Sequence, residues 1–389
     1  MSDVPWKSLK NGFAIPVLGQ GTWRMGGVDT PDTANDDADI AAIRRGIAAG
    51  LCHIDTAEMY AGGHAEELVG IAMKGQGIRR ADYFLTDKVW KTHLRYDDVL
   101  RAAEASLKRL GTDYIDIGMI HMVDNKADFD AIFNGEIYRY VLELKRKGVI
   151  RAIGLSSHIS SIALEAVNRG LIDVLMFSLN PAYDLLHQEA IEELIQINGT
   201  AFESAEIRGV SRARSELYRA CDAKGVGIVV MKGLGAGLLL DAKRSPFGVA
   251  MTVPQCIHYA LTRPAVSSIV VGVQTPEEVA AAVRYESLPE RERDYSHIFA
   301  AEPRFNPKGH CMYCNHCLPC VAHIDIAQVN RYLDLAEAEG TVPPTVRAHY
   351  DSLAHKAAEC VSCGACEKRC PFDVPVMARM KQAKAQFGA

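Results

Sequence analysis

The chain of 389 residues has no surplus of charge: 43 Lys and Arg face 48 Asp and Glu, a formal net charge of −5. A nucleic-acid binder carries a basic stripe or face, so nucleic acid is not expected as a partner. No apolar run approaches the ~20 residues that a membrane-spanning helix needs. The start, Met1 to Lys10, is polar and has no apolar stretch of the signal-peptide kind. These absences point to a soluble, cytoplasmic protein. Two cofactor signatures are also missing: there is no flavin motif and no G-x-G-x-x-G. Hydrophobic residues make up 48% of the chain, enough to fill a large core. The length suits a barrel with a small module attached.

Cysteine is concentrated. Eight of the eleven cysteines fall in two short runs, Cys311, Cys314, Cys317, Cys320 and Cys360, Cys363, Cys366, Cys370, the second followed by Pro371. The second run reads C-x2-C-x2-C-x3-C-P, the bacterial ferredoxin spacing for a 4Fe-4S cluster. The first is the same with a shorter last gap. In ferredoxins the fourth Cys of each run ligates the other cluster. That predicts one cluster on Cys311, Cys314, Cys317 and Cys370, and another on Cys360, Cys363, Cys366 and Cys320. Zinc and disulfides are the competing readings. Zinc favours C-x2-C pairs set apart, and disulfides are rare in the cytosol. Cys52, Cys221 and Cys256 are scattered and read as core packing.

From the start to about residue 285, short β-rich segments alternate with helical patterns. The predicted strands are Val17–Thr22, Cys52–Thr56, Tyr83–Val89, Tyr114–His121, Arg151–Ser157, Val174–Asn180, Gly227–Lys232 and Ser268–Val273. Predicted helices between them include Asp37–Ala49, Ala65–Met73, Asp97–Leu110, Ile132–Lys147, Ile162–Asn168, Arg212–Lys224, Val253–Leu261 and Pro276–Arg284. Strict alternation means parallel pairing, and eight such units make a closed (β/α)8 TIM barrel. A doubly wound open sheet is the alternative. Ahead of the first strand, Trp6–Leu9 and Phe13–Ile15 flank Asn11-Gly12, a type I′ hairpin signal. Such a hairpin would plug the bottom of the barrel. A helical piece is expected at Gln188–Ile195, within a long connection. The Pro-containing stretch Glu302–Gly309 marks a boundary between a barrel domain, residues 1–300, and a cluster domain, residues 301–389. Helices predicted at Ile326–Glu339 and Val346–Ala358 make the second domain a helical ferredoxin-like module.

Polar residues stand at the C-terminal ends of successive strands, the rim where barrel chemistry occurs. Asp55 ends the second strand, with Tyr60 five residues on; Lys88 ends the third; His121 ends the fourth. With Asp55-Thr56-Ala57, Tyr60, Lys88, His121 and Gly154-Leu155-Ser156-Ser157, the stretch from Val17 to Val283 resembles the aldo/keto reductases. It is most similar to the branch with a C-terminal ferredoxin-type extension. The resemblance implies a catalytic tetrad of Asp55, Tyr60, Lys88 and His121 that interconverts a carbonyl and an alcohol with a nicotinamide cofactor. A free tyrosine titrates near pH ~10, and Lys88 is expected to lower that value by stabilising the phenolate. Asp55 would keep Lys88 charged, His121 would orient the carbonyl oxygen, and Tyr60 would be the general acid or base.

The resemblance also implies a nucleotide site. Ser156 and Ser157 take the carboxamide positions, although the family commonly has Ser-Asn there. Asn180 stands at a usual Gln position, and Met231 where many relatives stack a Tyr on the ring. Lys232, Leu234 and Gly237 belong to a loop, Gly233 to Gly237, similar to the one that embraces the pyrophosphate. Gly272, Gln274 and Glu278 lie where relatives usually carry Lys or Arg for the adenosine 2′-phosphate. Glu278 also fits a capping box with Thr275 and Pro276. The carboxylates favour NAD(H) over NADP(H). Trp23, Met59, Trp90 and Met122 flank the expected pocket for a small carbonyl or alcohol substrate. The clusters are then structural, or pass electrons to a redox partner protein. The alternative reading is an electron-transfer or redox-sensing protein whose barrel only binds nucleotide or substrate.

Overall fold

The computed structural model describes residues 5–10, 12–74, 77–90, 96–185, 210–296, 298, 309–339 and 341–388. The expected helix at Gln188–Ile195 and most of the boundary at Glu302–Gly309 lie outside the described residues. The chain divides into two compact units, with the main change between Asp294 and Tyr295.

The first unit is a closed barrel. Its strands are β3 (Leu18–Gly21), β4 (His53–Asp55), β5 (Phe84–Trp90), β6 (Ile115–His121), β7 (Ile150–Ser157), β8 (Val174–Ser178), β9 (Gly227–Met231) and β10 (Val266–Gly272). Each pairs in parallel with its neighbour, and β10 closes on β3 through Ile269 opposite Leu18. That closing ladder excludes the open sheet. β8 stops two residues earlier than expected, because Pro181 begins a short helix, Pro181–Leu185, and brings no N–H to a ladder. The helix expected at Ile132–Lys147 is two helices, Lys126–Phe133 and Glu136–Lys147, interrupted at Asn134-Gly135.

An antiparallel pair, β1 (Trp6–Ser8) and β2 (Ala14–Pro16), precedes the barrel. The Gly12 N–H bonds the Leu9 carbonyl, the Leu9 N–H bonds the Phe13 carbonyl, and Gly12 has φ 83°. This is a three-residue connection with Gly in the left-handed position, not the two-residue type I′ turn. Leu9 and Ile15 bury into the barrel interior with Phe84, Ile117, Met119, Ala152, Val174, Met176, Val229 and Val270. Side chains alternate along each strand, so this apolar floor leaves the next inward positions for polar groups at the rim.

The described residues of the second unit contain helices Ile326–Glu339, Pro344–Asp351, Ala365–Arg369 and Val376–Phe387, and no strand. The second helix stops short of the expected Ala358. The chain turns back there, and the Ala357 N–H bonds the Tyr350 hydroxyl at 3.0 Å. Tyr350 stacks on Phe387 with centroids 4.2 Å apart, a contact worth roughly 0.5–1.5 kcal/mol beyond area burial. Among the described residues no helix is long and apolar enough to cross a membrane.

Candidate active site

Register brings the tetrad together. Asp55 lies opposite Thr86 on β5, and Lys88 is two residues further along the same face. On β6, His121 lies two residues beyond Met119, which faces Lys88. Tyr60 begins a tight turn, Tyr60–Gly63, whose backbone is left-handed at Ala61 and Gly62.

Lys88 is the hub. Its side chain is 1% exposed. Its ammonium donates to the Asp55 carboxylate at 2.7 Å, to the Thr56 carbonyl at 3.0 Å and to the Tyr60 hydroxyl at 3.2 Å. An ammonium has three donors, and all are used. Burial alone would lower the pKa of Lys88, but Asp55 and Tyr60 outweigh it and hold the ammonium above its ordinary value. The Tyr60 and His121 rings meet edge to face, 6.0 Å apart. His121 is buried. Tyr60 departs from expectation: burial pushes its phenol up, and the Lys88 cation offsets this only in part. Desolvation of the phenolate outweighs the cation, so the hydroxyl keeps its proton at neutral pH.

On the nucleotide side, the Ser156 hydroxyl accepts the Met122 N–H at 2.9 Å. Ser157 is fully buried; its hydroxyl donates to Asp124 at 3.1 Å and accepts the Ile159 N–H at 3.1 Å. Asn180 donates to the Lys232 carbonyl at 2.8 Å and accepts the Tyr183 N–H at 3.0 Å, so its amide holds two strand ends together. Met231 packs on the apolar barrel interior. Leu234 and Gly237 are half-buried, while Gly272, Gln274 and Glu278 are exposed. The Glu278 carboxylate accepts the N–H groups of Gln274 at 2.7 Å and Thr275 at 3.1 Å, completing the capping box. Of the pocket candidates, Trp23 is 54% exposed with the Arg24 guanidinium over its ring. Met59 is exposed, and Met122 is half-buried with φ 53°. Trp90 ends β5, and its side chain lies outside the described residues.

Residues 17–255 match the model of the aldo/keto reductase family, more than half of the chain. The chain belongs to the aldo/keto reductase family. A methylglyoxal reductase, YeaE, of Escherichia coli (strain K12) is 39% identical over 37% of this chain and 46% of its own length. The chain spans about half the length of the curated relatives it matches first. A thermostable aldo-keto reductase solved with the inhibitor epalrestat is 31% identical, with a TM-score of 0.56, covering 74% of this chain and 97% of that one. An aldo/keto reductase from Klebsiella pneumoniae, solved with NADP and acetate, is 24% identical, a likeness of fold alone. Its TM-score is 0.53, with 76% of this chain and 94% of that one covered.

This aldo/keto reductase carries further polar groups at the same rim that sequence reasoning passed over. Asp124 and His158 form a buried pair, 3.0 Å apart, that reaches Lys232. The signal that marks the tetrad, a polar residue just past a strand end, was available for both.

The eight clustered cysteines gather in two hollows of the second unit. One is lined by Cys311, Cys314, Cys317 and Cys370, the other by Cys320, Cys360, Cys363 and Cys366. Arg369 ties the runs together, donating to the carbonyls of Cys317 at 2.6 Å and Pro319 at 2.7 Å. Among the described residues no group of three or more His, Cys, Asp or Glu is arranged to hold a metal ion. The donor set of each hollow is four thiols, a ligand set that suits a 4Fe-4S cluster or zinc. Cys221 and Cys256 are buried, and Cys52 is half-buried.

Behind the tetrad, Asp87 is 2% exposed. Burial and the nearby Glu66 carboxylate hold it well above the usual carboxylate range, against the pull of Lys88. A raised folded-state value contributes stability below the unfolded value of about 3.9, and that contribution is lost as pH rises through the folded value. Asp87→Asn should therefore gain thermal stability relative to the parent as pH is raised from about 5 to 8. Melting temperatures across that range check it; an advantage that shrinks with pH contradicts the assignment.

Proposed function

We propose that this chain is a nicotinamide-dependent oxidoreductase that interconverts a carbonyl and an alcohol, using Asp55, Tyr60, Lys88 and His121. The observation that carries the reading is the buried Lys88 ammonium shared between Asp55 and the Tyr60 hydroxyl. Reduction of a carbonyl adds a hydride to carbon and a proton to oxygen. A bound nicotinamide supplies the hydride. Tyr60 supplies the proton, and its burial keeps that proton in place until the carbonyl oxygen gains charge. Lys88, 3.2 Å away, stabilises the phenolate that remains, and Asp55 keeps Lys88 charged. His121 would hydrogen-bond the carbonyl oxygen and orient it. In oxidation the proton returns to Tyr60. The Ser156 hydroxyl, the Gly233–Gly237 loop and Lys232 would hold the cofactor. Methylglyoxal is the first carbonyl to test, because the Escherichia coli relative is named for reducing it.

NADH is the favoured cofactor. The helix start that would receive a 2′-phosphate already has two N–H groups on the Glu278 carboxylate, and that carboxylate would repel a phosphate. The second unit would hold two 4Fe-4S clusters, on Cys311, Cys314, Cys317, Cys370 and on Cys320, Cys360, Cys363, Cys366. The grouping of the eight thiols into these two fours supports the assignment. Bound clusters would supply one-electron transfer or a structural staple.

Tyr60→Phe, assayed with a full iron complement, should lower carbonyl turnover by roughly 10²–10⁴-fold, the worth of acid–base catalysis. NADH affinity should barely move; near-parental turnover would mean the proton comes from elsewhere. NADH should bind more tightly than NADPH, and Glu278→Gln should raise NADPH affinity by up to about fivefold, as an exposed charge contact of ~1 kcal/mol allows. Tighter NADPH binding by the parent protein refutes this. Anaerobically purified protein should contain about eight irons per chain. Cys320→Ser should disturb the cluster of Cys360, Cys363 and Cys366 and spare the other. Zinc in place of iron removes the cluster assignment.

A further inference from the structure

Three polar side chains converge where β6, β7 and β9 end. The Asp124 carboxylate accepts the His158 backbone N–H at 2.7 Å and the Ser157 hydroxyl at 3.1 Å. Its other oxygen lies 3.0 Å from Nδ1 of the same His158. A carboxylate there requires a proton on Nδ1, so in the neutral ring Nε2 carries the lone pair. That nitrogen lies 3.2 Å from the Lys232 Nζ and accepts from it. Both members of the Asp124–His158 pair are about 95% buried, with side-chain exposures of 4% and 5%. Lys232 itself has left-handed backbone, φ 57°, and its carbonyl is pinned by Asn180.

The two lysines of this rim differ. Lys88 spends all three donors on protein acceptors. Lys232 is half-buried, and its ammonium bonds the His158 ring, with no carboxylate in ion-pair contact among the described residues. Burial draws its ammonium below the ordinary value, and the nearby Asp124 charge opposes this. A desolvated cation without a carboxylate is costly unless an anion completes it, and among the described residues two of its three donors are left to meet one. Lys232 opens the Gly233–Gly237 loop, where Ala236 and Gly237 have left-handed backbone.

We infer that Asp124 and His158 are positioning residues that aim the Lys232 ammonium at the pyrophosphate of the bound dinucleotide. The inference rests on the nicotinamide reading above. Asp124 fixes the His158 tautomer, His158 takes one ammonium hydrogen, and the other two point to the phosphoryl oxygens. The competing source of the same anion chemistry is a carboxylate or phosphate on the substrate.

The test is equilibrium binding of NADH and of ADP-ribose, which keeps the pyrophosphate and lacks nicotinamide. Lys232→Met should weaken both by about 10- to 100-fold, the worth of a charge-assisted hydrogen bond. Lys232→Arg should recover most of the loss. His158→Leu should weaken ADP-ribose several-fold, and His158→Gln, whose amide oxygen can accept the ammonium, should restore it. A merely structural histidine would not show that rescue. If Lys232→Met unsettles the fold, Lys232→Gln carries the same comparison. Unchanged ADP-ribose affinity in the neutral variant overturns the inference alone. So does a loss confined to the KM of carboxylate-bearing carbonyl substrates. Wild-type protein that binds neither ligand overturns the nicotinamide reading, and this inference with it.

Discussion

Everything at the rim of the barrel depends on one buried charge, the ammonium of Lys88. Taking an ammonium out of water costs several kcal/mol unless its surroundings replace the lost hydrogen bonds. Here they do so completely, and the acceptors are a carboxylate ending β4, a backbone carbonyl next to it and the hydroxyl of a turn residue. All three come from the short segment Asp55 to Tyr60, whereas the ammonium comes from β5, so the bonds tie one strand end to the next. Parallel register aligns the strand ends, the hairpin fills the barrel floor with Leu9 and Ile15, and the polar groups are left at the top. Removing one acceptor would leave a charge half-satisfied in the interior. The fold thus holds the site rigid through the same bonds that give it chemistry.

That rigidity changes how Tyr60 is understood. A cation beside a phenol suggests a lowered pKa. The balance runs the other way, because the burial that desolvates Lys88 desolvates the phenolate too. A group held protonated yet next to a fixed positive charge can give its proton late, when a neighbouring oxygen becomes strongly basic. Electrostatic preorganisation of this kind stabilises charge that develops during the reaction without favouring it beforehand.

Much of the barrel was legible because alternation and strand-end polarity are local signals. Asp55, Lys88 and His121 stand out as polar residues ending apolar runs, but it is the resemblance to the aldo/keto reductases that groups them with Tyr60. The partner of the Ser157 hydroxyl was not legible, because Asp124 comes from the loop after another strand. The Asn134-Gly135 break was hidden by apolar residues that keep helical spacing on both sides. The helix Val376–Phe387 could have been read, since Val376, Met380, Ala383 and Phe387 are all buried at helical intervals. It was overshadowed by the cysteines before it. The hairpin turn failed for a smaller reason. Asn-Gly marks a turn but does not fix its length, and Gly12 serves as the left-handed residue of a longer one.

The second unit poses a different constraint. Its two cysteine runs are far apart in sequence, yet each hollow takes a thiol from both. Cys370 joins the first run and Cys320 joins the second. If the proposed clusters bind there, such exchange would make metal binding and folding one event, because neither set of four thiols is complete until both runs have met. Arg369 and the Gly309 N–H, which bonds the Phe372 carbonyl at 2.7 Å, bind the same two segments without metal. The proposed reactions of the two units also differ in electron count. A carbonyl takes two electrons as one hydride, and a cubane passes one at a time. In the proposed reaction the tetrad would supply the proton and a bound nicotinamide the hydride, so clusters in the second unit would act as a staple or serve a separate exchange of single electrons.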